Sequence, residues 1–414
     1  MFDVTTQAHP TGVRGRIGRA AHHLIPDLDQ RVYARSRARD RRDRERTTPH
    51  RDVYTTVERR QWTWDGPSPV VAIVPPEGPS SGTWRAAQWN IYYEASQRLR
   101  ETPGDHVVHD FFVEPGEESW LWQRRLVDFI HDNQVTHLLT HIERDPEASD
   151  GAWTWDSFWE AINRRWSGVL LGGMFDSSYR FTEAKAKILS RMSPNFLLVD
   201  ICMPMDGALH GRRREVGPVN IPMSEETLRL VDEAISTQAK EVDISFMGVM
   251  YDYRARLVEE LEAAGVSVAV NPHRTDAARG AEATRRNQPS WLNYMKGLAS
   301  SRATINFSRS NAGPFEQLKT RVIEVGLAGT YLLTDDRDRT KRFWDEGSFA
   351  VFEEPADLLE TSRRLLARPK DLSHATTEFH DRARYLARNH YWGAIEATLR
   401  ARNLPSIGID AFTD

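Results

Sequence analysis

Two glutamates, Glu316 and Glu324, stand on either side of a Lys319-x-Arg321 pair in the stretch between Asn306 and Gly329. A carboxylate accepts two hydroxyl hydrogen bonds well. An arginine next to a lysine can neutralise adjacent phosphates, Arg as a planar fork and Lys as a point charge. If the interval is helical, the two carboxylates lie about 12 Å apart at about 1.5 Å per residue. That is about the distance from the ribose to the hexose of a nucleotide diphosphate sugar. The spacing predicts Glu324 on the ribose, Lys319 and Arg321 on the diphosphate, and Glu316 on the transferred sugar. The competing reading is a surface helix in which Arg321 and Glu324 are an i,i+3 pair.

The surrounding pattern predicts elements that would hold these groups in place. Ala303 to Phe307 reads as a buried strand and Leu318 to Ala328 as a helix. Gly329 stops that helix before a second strand, Tyr331 to Thr334. Phosphate is favoured at helix N-termini beyond the carboxyl ends of parallel strands. Ser308 and Asn311, on the intervening loop, are candidate donors to the diphosphate or the base. Gly248 follows the strand Ile244 to Phe246 and precedes a helix carrying Arg254. It would permit close backbone approach, with Arg254 reaching a phosphate, and a plain structural turn explains it equally well. Asp335-Asp336-Arg337-Asp338 invites a metal reading, but its place between a strand and a helix is explained more simply by capping, so no metal is expected.

Several pieces of the chain resemble the group 1 glycosyltransferases, most closely their spore-maturation (CgeB-like) branch. They are Ile244-Ser245-Phe246-Met247-Gly248 with Arg254, Tyr294-Met295-Lys296-Gly297-Leu298-Ala299, and Ile305-Asn306-Phe307-Ser308. Leu318 to Glu324, Gly329 to Thr334 and Phe352-Glu353-Glu354-Pro355 complete the set. The resemblance implies a GT-B fold: two Rossmann-like domains facing across a cleft, with the donor nucleotide on the second. It also implies transfer without a metal or other cofactor, and the E-x7-E spacing resembles that of retaining enzymes. Val325 and Gly326 depart from the pattern, and a glycine inside a helix weakens it.

Composition agrees with a soluble globular chain. The 414 residues allow two or three domains. A net charge of −4 gives no general case for nucleic acid. The single Cys202 rules out an intramolecular disulfide framework, and no apolar run reaches a membrane span. A cytoplasmic location is expected. Between Arg31 and Arg46 half of the residues are arginine, which predicts a solvated helix or arm for an anionic partner or for self-association.

Residues 1–60 therefore form an Arg-rich extension. Residues 61–240 read as a Rossmann-like acceptor domain, 241–370 as the nucleotide-sugar domain, and 371–414 as terminal helices that return to the first domain. In the first half, strands are expected at Val70 to Val74, His106 to Val113, His137 to Ile142, Gly168 to Phe175, Phe196 to Ile201 and Val219 to Ile221. A helical period begins at Trp84, further helices are expected at Trp120 to His131, Trp155 to Trp166 and Thr182 to Met192, and Ser224 caps a connecting helix. Two terminal helices are expected, Thr376 to Arg388 and Tyr391 to Arg400. Asp176 and His141, at strand ends, are the candidate bases for the acceptor hydroxyl. The aromatic group around Trp155, Phe158 and Trp159 reads either as core or as a sugar-stacking platform. The expected function is sugar transfer from a nucleotide diphosphate sugar. A sugar-nucleotide epimerase or hydrolase on the same fold, or a non-catalytic nucleotide-sugar-binding module, are the alternatives.

Overall fold

A computed structural model describes residues 28–62, 66–76, 78–142, 156–174, 187–188, 195–201, 215–248, 250, 252–266, 268–271, 291–308 and 318–412. The chain enters through two helices, α1 (Leu28–Arg46) and α2 (Thr48–Arg59). A first unit follows, in the order β1 (Val70–Val74), α3 (Ile91–Glu101), β2 (Val107–Asp110), α4 (Ser119–Asp132), β3 (His137–His141), α5 (Asp156–Asn163), β4 (Val169–Met174), β5 (Phe196–Asp200) and β6 (Glu215–Val216). The connecting helix α6 (Glu225–Ile235) leads to a second unit. This contains β7 (Val242–Phe246), α7 (Asp252–Ala263), β8 (Val268–Val270), α8 (Trp291–Ala299), β9 (Ser301–Asn306), α9 (Thr320–Leu327), β10 (Tyr331–Thr334), α10 (Arg337–Phe343), β11 (Ala350–Val351) and α11 (Pro355–Leu366). The helix α12 (Pro369–Ala401) ends the series.

Each unit is built on a wholly parallel sheet, in the order β2-β1-β3-β4-β5-β6 for the first and β11-β10-β9-β7-β8 for the second. The strands are near-continuous apolar runs because helices cover both faces. In β1, Val71 and Ile73 pack with Ile91, Ala95 and Leu99 of α3. Ala72 and Val74 face the other way, towards Trp122 and Leu126 of α4 and Val53 and Val57 of α2.

The structure moves several expected boundaries. Trp84 does not begin a helix: Ala87 and Trp89 have φ of +60° and +56°. The helix starts after Asn90, whose side chain accepts from the amides of Tyr92 and Tyr93 at 3.1 and 3.2 Å. Val219 to Ile221 is not a strand; the edge strand is the earlier pair Glu215–Val216. The stretch Thr182 to Met192 falls almost wholly outside the described residues. Ser224 does cap α6, accepting from the Thr227 amide at 3.2 Å.

The two expected terminal helices are one continuous helix of 33 residues. It touches both units. Towards the second, Gly326 of α9 lies under it so closely that a Cβ there would sit 2.4 Å from the Ala383 Cβ. Towards the first, the Trp392 indole donates to the Ala95 carbonyl at 2.8 Å and Arg98 donates to the Arg388 carbonyl at 2.9 Å. Arg388 also forms a two-pronged pair with Glu225 of α6. Gly326, which sequence reasoning held against the helix, is thus the residue that lets α9 and α12 meet.

Candidate functional site

In the second sheet the chain leaves β7 towards β8 on one side and takes up β9 on the other. The connections part at the carboxyl ends of β7 and β9, which is where open α/β sheets place ligands. Gly248 follows β7, Ser308 follows β9, Asp335 follows β10, and the N-terminus of α9 brings Lys319 to Arg321.

Arg321 is the centre of this group. Its guanidinium lies over the Phe246 ring, 5.2 Å from the centroid. Nε and Nη1 are buried, and among the described residues neither has a hydrogen-bond partner. Nη2 lies against Gly248, where a Cβ would come within 2.4 Å of it. Gly248 itself has φ of +142°, and the Asn271 side chain grips both its amide, at 2.8 Å, and its carbonyl, at 3.1 Å. The Gly248 amide is therefore already used, and what the glycine provides is room for the guanidinium.

Glu324 sits one turn further along α9 and is 2% exposed. Trp291 Nε1 donates to one carboxylate oxygen at 2.8 Å and the Tyr294 hydroxyl to the other at 3.1 Å. Burial pushes its pKa up, opposed by these two bonds and by the Arg321 charge. The Tyr294 hydroxyl is raised for the same first reason, with the Glu324 charge adding to it. In this conformation Glu324 braces α9 against α8, each carboxylate oxygen keeping a further lone pair.

Ser308 donates its amide to Asp335 at 2.5 Å, and its buried hydroxyl has no partner among the described residues. Arg254 is 5% exposed and lies among the rings of Tyr253, Phe307 and Phe246, with centroids at 5.3, 5.5 and 5.7 Å. Its Nε donates to the Tyr253 hydroxyl at 2.8 Å. Lys319 is the extended N-cap residue of α9. The helix begins only at Thr320, so the 12 Å derived from a helix running from Glu316 does not describe this segment. Glu316, Asn311 and Asp176 lie outside the described residues.

Asp336 caps α10 by accepting from the Arg339 amide at 3.1 Å. The capping reading therefore holds for Asp336.

On the first unit, His141 ends β3, is 4% exposed, and lies 6.0 Å from the Tyr92 ring, centroid to centroid. It stands at that sheet's own switch point, where the connections from β1 and β3 part. The loop after β1 is closed by its own hydroxyls, with Ser81 and Thr83 at 2.7 Å and Asn90 donating to Thr83 at 3.1 Å. His137 is structural: Nε2 meets the Pro405 carbonyl at 2.8 Å, and burial lowers its pKa to about 4. Phe158 and Trp159 are wholly buried core, which settles those two against the stacking platform, and Trp155 lies outside the described residues.

Sequence reasoning missed Asn271 and Trp291, and it picked out Tyr294 only within a family block, without a role. The last two are i,i+3 neighbours on one helix face, a spacing that marks side chains able to converge on one target. Nothing in the sequence pairs Asn271 with Gly248.

Residues 240–400 match the family described as "Glycosyl transferase-like". No curated protein sequence matches the chain. Among solved structures, sucrose-phosphate synthase from Thermosynechococcus elongatus superposes with a TM-score of 0.50 at 12% identity, covering 81% of this chain and 98% of that one. HepE from Anabaena, solved with UDP and glucose, gives 0.47 at 8% identity over 81% of this chain and 98% of its own. A glycosyltransferase from Rickettsia africae gives 0.44 at 12% identity, with 81% and 97% covered. At 12% identity, the likeness to sucrose-phosphate synthase speaks to the fold alone. The chain has the GT-B fold of glycosyltransferases, and its residues 240–400 are similar to a glycosyltransferase-like family.

Proposed function

We propose that the protein transfers a sugar from a nucleotide diphosphate sugar to an acceptor hydroxyl, with the donor held by the second unit. The observation that carries this reading is Arg321. Two of its buried nitrogens, Nε and Nη1, have no acceptor among the described residues, and a buried donor left so costs about 1–3 kcal/mol, which an anionic ligand would offset. Its position at the N-terminus of a helix and at the switch point of a parallel sheet suits a diphosphate.

In this reading Arg321 and Lys319 take the diphosphate and stabilise its departure. The Ser308 hydroxyl donates to it, and Asn311 lies on the same loop. Glu316 holds the transferred sugar. Glu324 fixes α9 first and touches the ribose only through its free lone pairs. Arg254 supports the wall beneath Phe246 and Phe307. His141 or Asp176 takes the acceptor proton. The charge at the leaving phosphate comes from protein groups, which supports transfer without a metal. The E-x7-E spacing supports retention, and the quoted sequence blocks support the spore-maturation-like branch.

A thermal-shift titration with UDP, GDP, dTDP, ADP and CMP, with and without Mg²⁺, tests the donor site. Binding to the native state adds about 2.7 kcal/mol at a hundredfold excess over Kd. One nucleotide should raise Tm regardless of Mg²⁺, and Arg321→Ala should abolish the rise. No shift with any of them would overturn the assignment. Release of free sugar in the absence of acceptor would instead identify a hydrolase.

A further inference from the structure

The helix α1 carries eight arginines against four acidic residues, in a chain whose net charge is −4. At about 100° per residue, Arg31, Arg35, Arg39, Arg42 and Arg46 fall within an arc of about 80°. All five are exposed. Arg39 has only a loose pair with Asp43, at 3.8 Å and with both side chains largely in solvent. Among the described residues the other four have no ion-pair or hydrogen-bond partner. The arginines turned inward behave differently: Arg37 and Arg41 pair with Glu160 of α5 at 3.7 and 3.4 Å and dock the helix on the first unit.

We propose that this exposed face of α1 binds the phosphate backbone of a nucleic acid. The stripe is a single row about 22 Å long at about 1.5 Å rise per residue. It spans on the order of six phosphates of one strand at about 3.4 Å each. A row of this shape matches a linear polyanion. A lipid surface would instead favour a broad basic patch beside bulky apolar residues, and the exposed large hydrophobic recorded on α1 is Val32 alone among the described residues. Guanidinium forks suit phosphate oxygens, and contacts to the backbone alone carry no sequence preference. The stripe lies on the layer outside α2 and α5, on the face of the first sheet opposite α3 and α12, so it would hold the protein on a polymer without occupying the donor site.

The test is fluorescence anisotropy of the full chain with a labelled DNA duplex of about 20 base pairs, between about 50 and 200 mM salt. Four or five phosphate contacts predict a slope of log K against log salt of about −4, or roughly 250-fold weaker binding across that range. A single variant combining Arg31→Gln, Arg35→Gln, Arg42→Gln and Arg46→Gln should lose that binding and flatten the slope. It should keep the circular dichroism and the nucleotide-induced Tm shift of the parent. Arg321→Ala should bind the duplex like the parent, which separates this surface from the donor site. No binding at low salt, or an unchanged slope in the fourfold variant, overturns the proposal. So does binding to phosphatidylglycerol vesicles without binding to the duplex, which would assign the stripe to a lipid surface.

Discussion

Gly248 and Arg321 occupy one space: the face of Gly248 that lacks a side chain is filled by the Arg321 guanidinium, and a Cβ there would lie 2.4 Å from Nη2. A glycine at the end of the first strand of the second unit and an arginine at the start of a later helix are thus a single device. The glycine fixes where the charge stands.

Gly248→Ala is expected to damage binding as well as folding. An alanine at φ of +142° costs about 1–3 kcal/mol, while the guanidinium, as the end of a flexible side chain, can swing aside. Titration of the donor nucleotide should show affinity at least about tenfold weaker, about 1.4 kcal/mol, with a modest fall in Tm. Parent-like affinity would show that the position of Arg321 is unimportant.

Arg321→Lys keeps the charge but loses the fork and the guanidinium's place over the Phe246 ring. The nucleotide-induced Tm shift should be greatly reduced rather than kept. Full retention would mean that the site needs a charge alone.

Tyr294→Phe leaves one oxygen of buried Glu324 without its donor. An unsatisfied buried acceptor costs about 1–3 kcal/mol, which denaturant unfolding would detect. Nucleotide affinity should fall as well if Glu324 braces the helix that carries Arg321. A change in stability with affinity intact would confine the network to folding.

Gly326→Ala should destabilise by about 1–3 kcal/mol, although alanine favours helices, because its methyl group would press on Ala383 and Phe379. A gain in stability would show that α9 and α12 have room between them.

Glu94 gives a pH prediction. Burial pushes its pKa up from 4.5 to about 7, although the Ser224 amide and the Thr227 hydroxyl bond to it. Since the folded state then holds the proton more tightly than the unfolded chain, this contribution is full below about pH 4.5 and is lost as pH rises through 7. His137 and His390, lowered by burial to about 4 and about 3, act in the opposite sense, but only as pH falls below 6.5. From about pH 6.5 to about pH 8 the parent should lose about 1 kcal/mol that Glu94→Gln does not lose. Equal pH dependence in the two proteins would remove Glu94 as the cause.

Local signals were strong where one element settles the matter. The apolar β-branched run Val70–Val74 is a strand and Ser224 is a helix cap. Gly329 ends α9 in the left-handed conformation, with φ of +59°. They failed where a distant partner decides. The period through Trp84 and Ala87 looked helical, but the Ala87 amide donates to the Thr227 hydroxyl of α6 and the backbone turns left-handed there. The supposed break near Asn389 is bridged because residues on either side of it pack on both units, Phe379 towards Gly326 and Trp392 towards Ala95.

The sequence by itself determined the alternation of strand and helix in each half, the stop at Gly329, and the charged block of Lys319, Arg321 and Glu324. These follow from periodicity, backbone preference and residue type, which act over a few neighbours. Only the tertiary structure decided that Arg321 faces Gly248 with two nitrogens unbonded among the described residues, that Glu324 turns inward to Trp291 and Tyr294, and that one helix ties the two sheets together. Those outcomes depend on which distant surfaces meet, and side-chain hydrogen bonds and close packing form only after the sheets have brought them within a few ångströms.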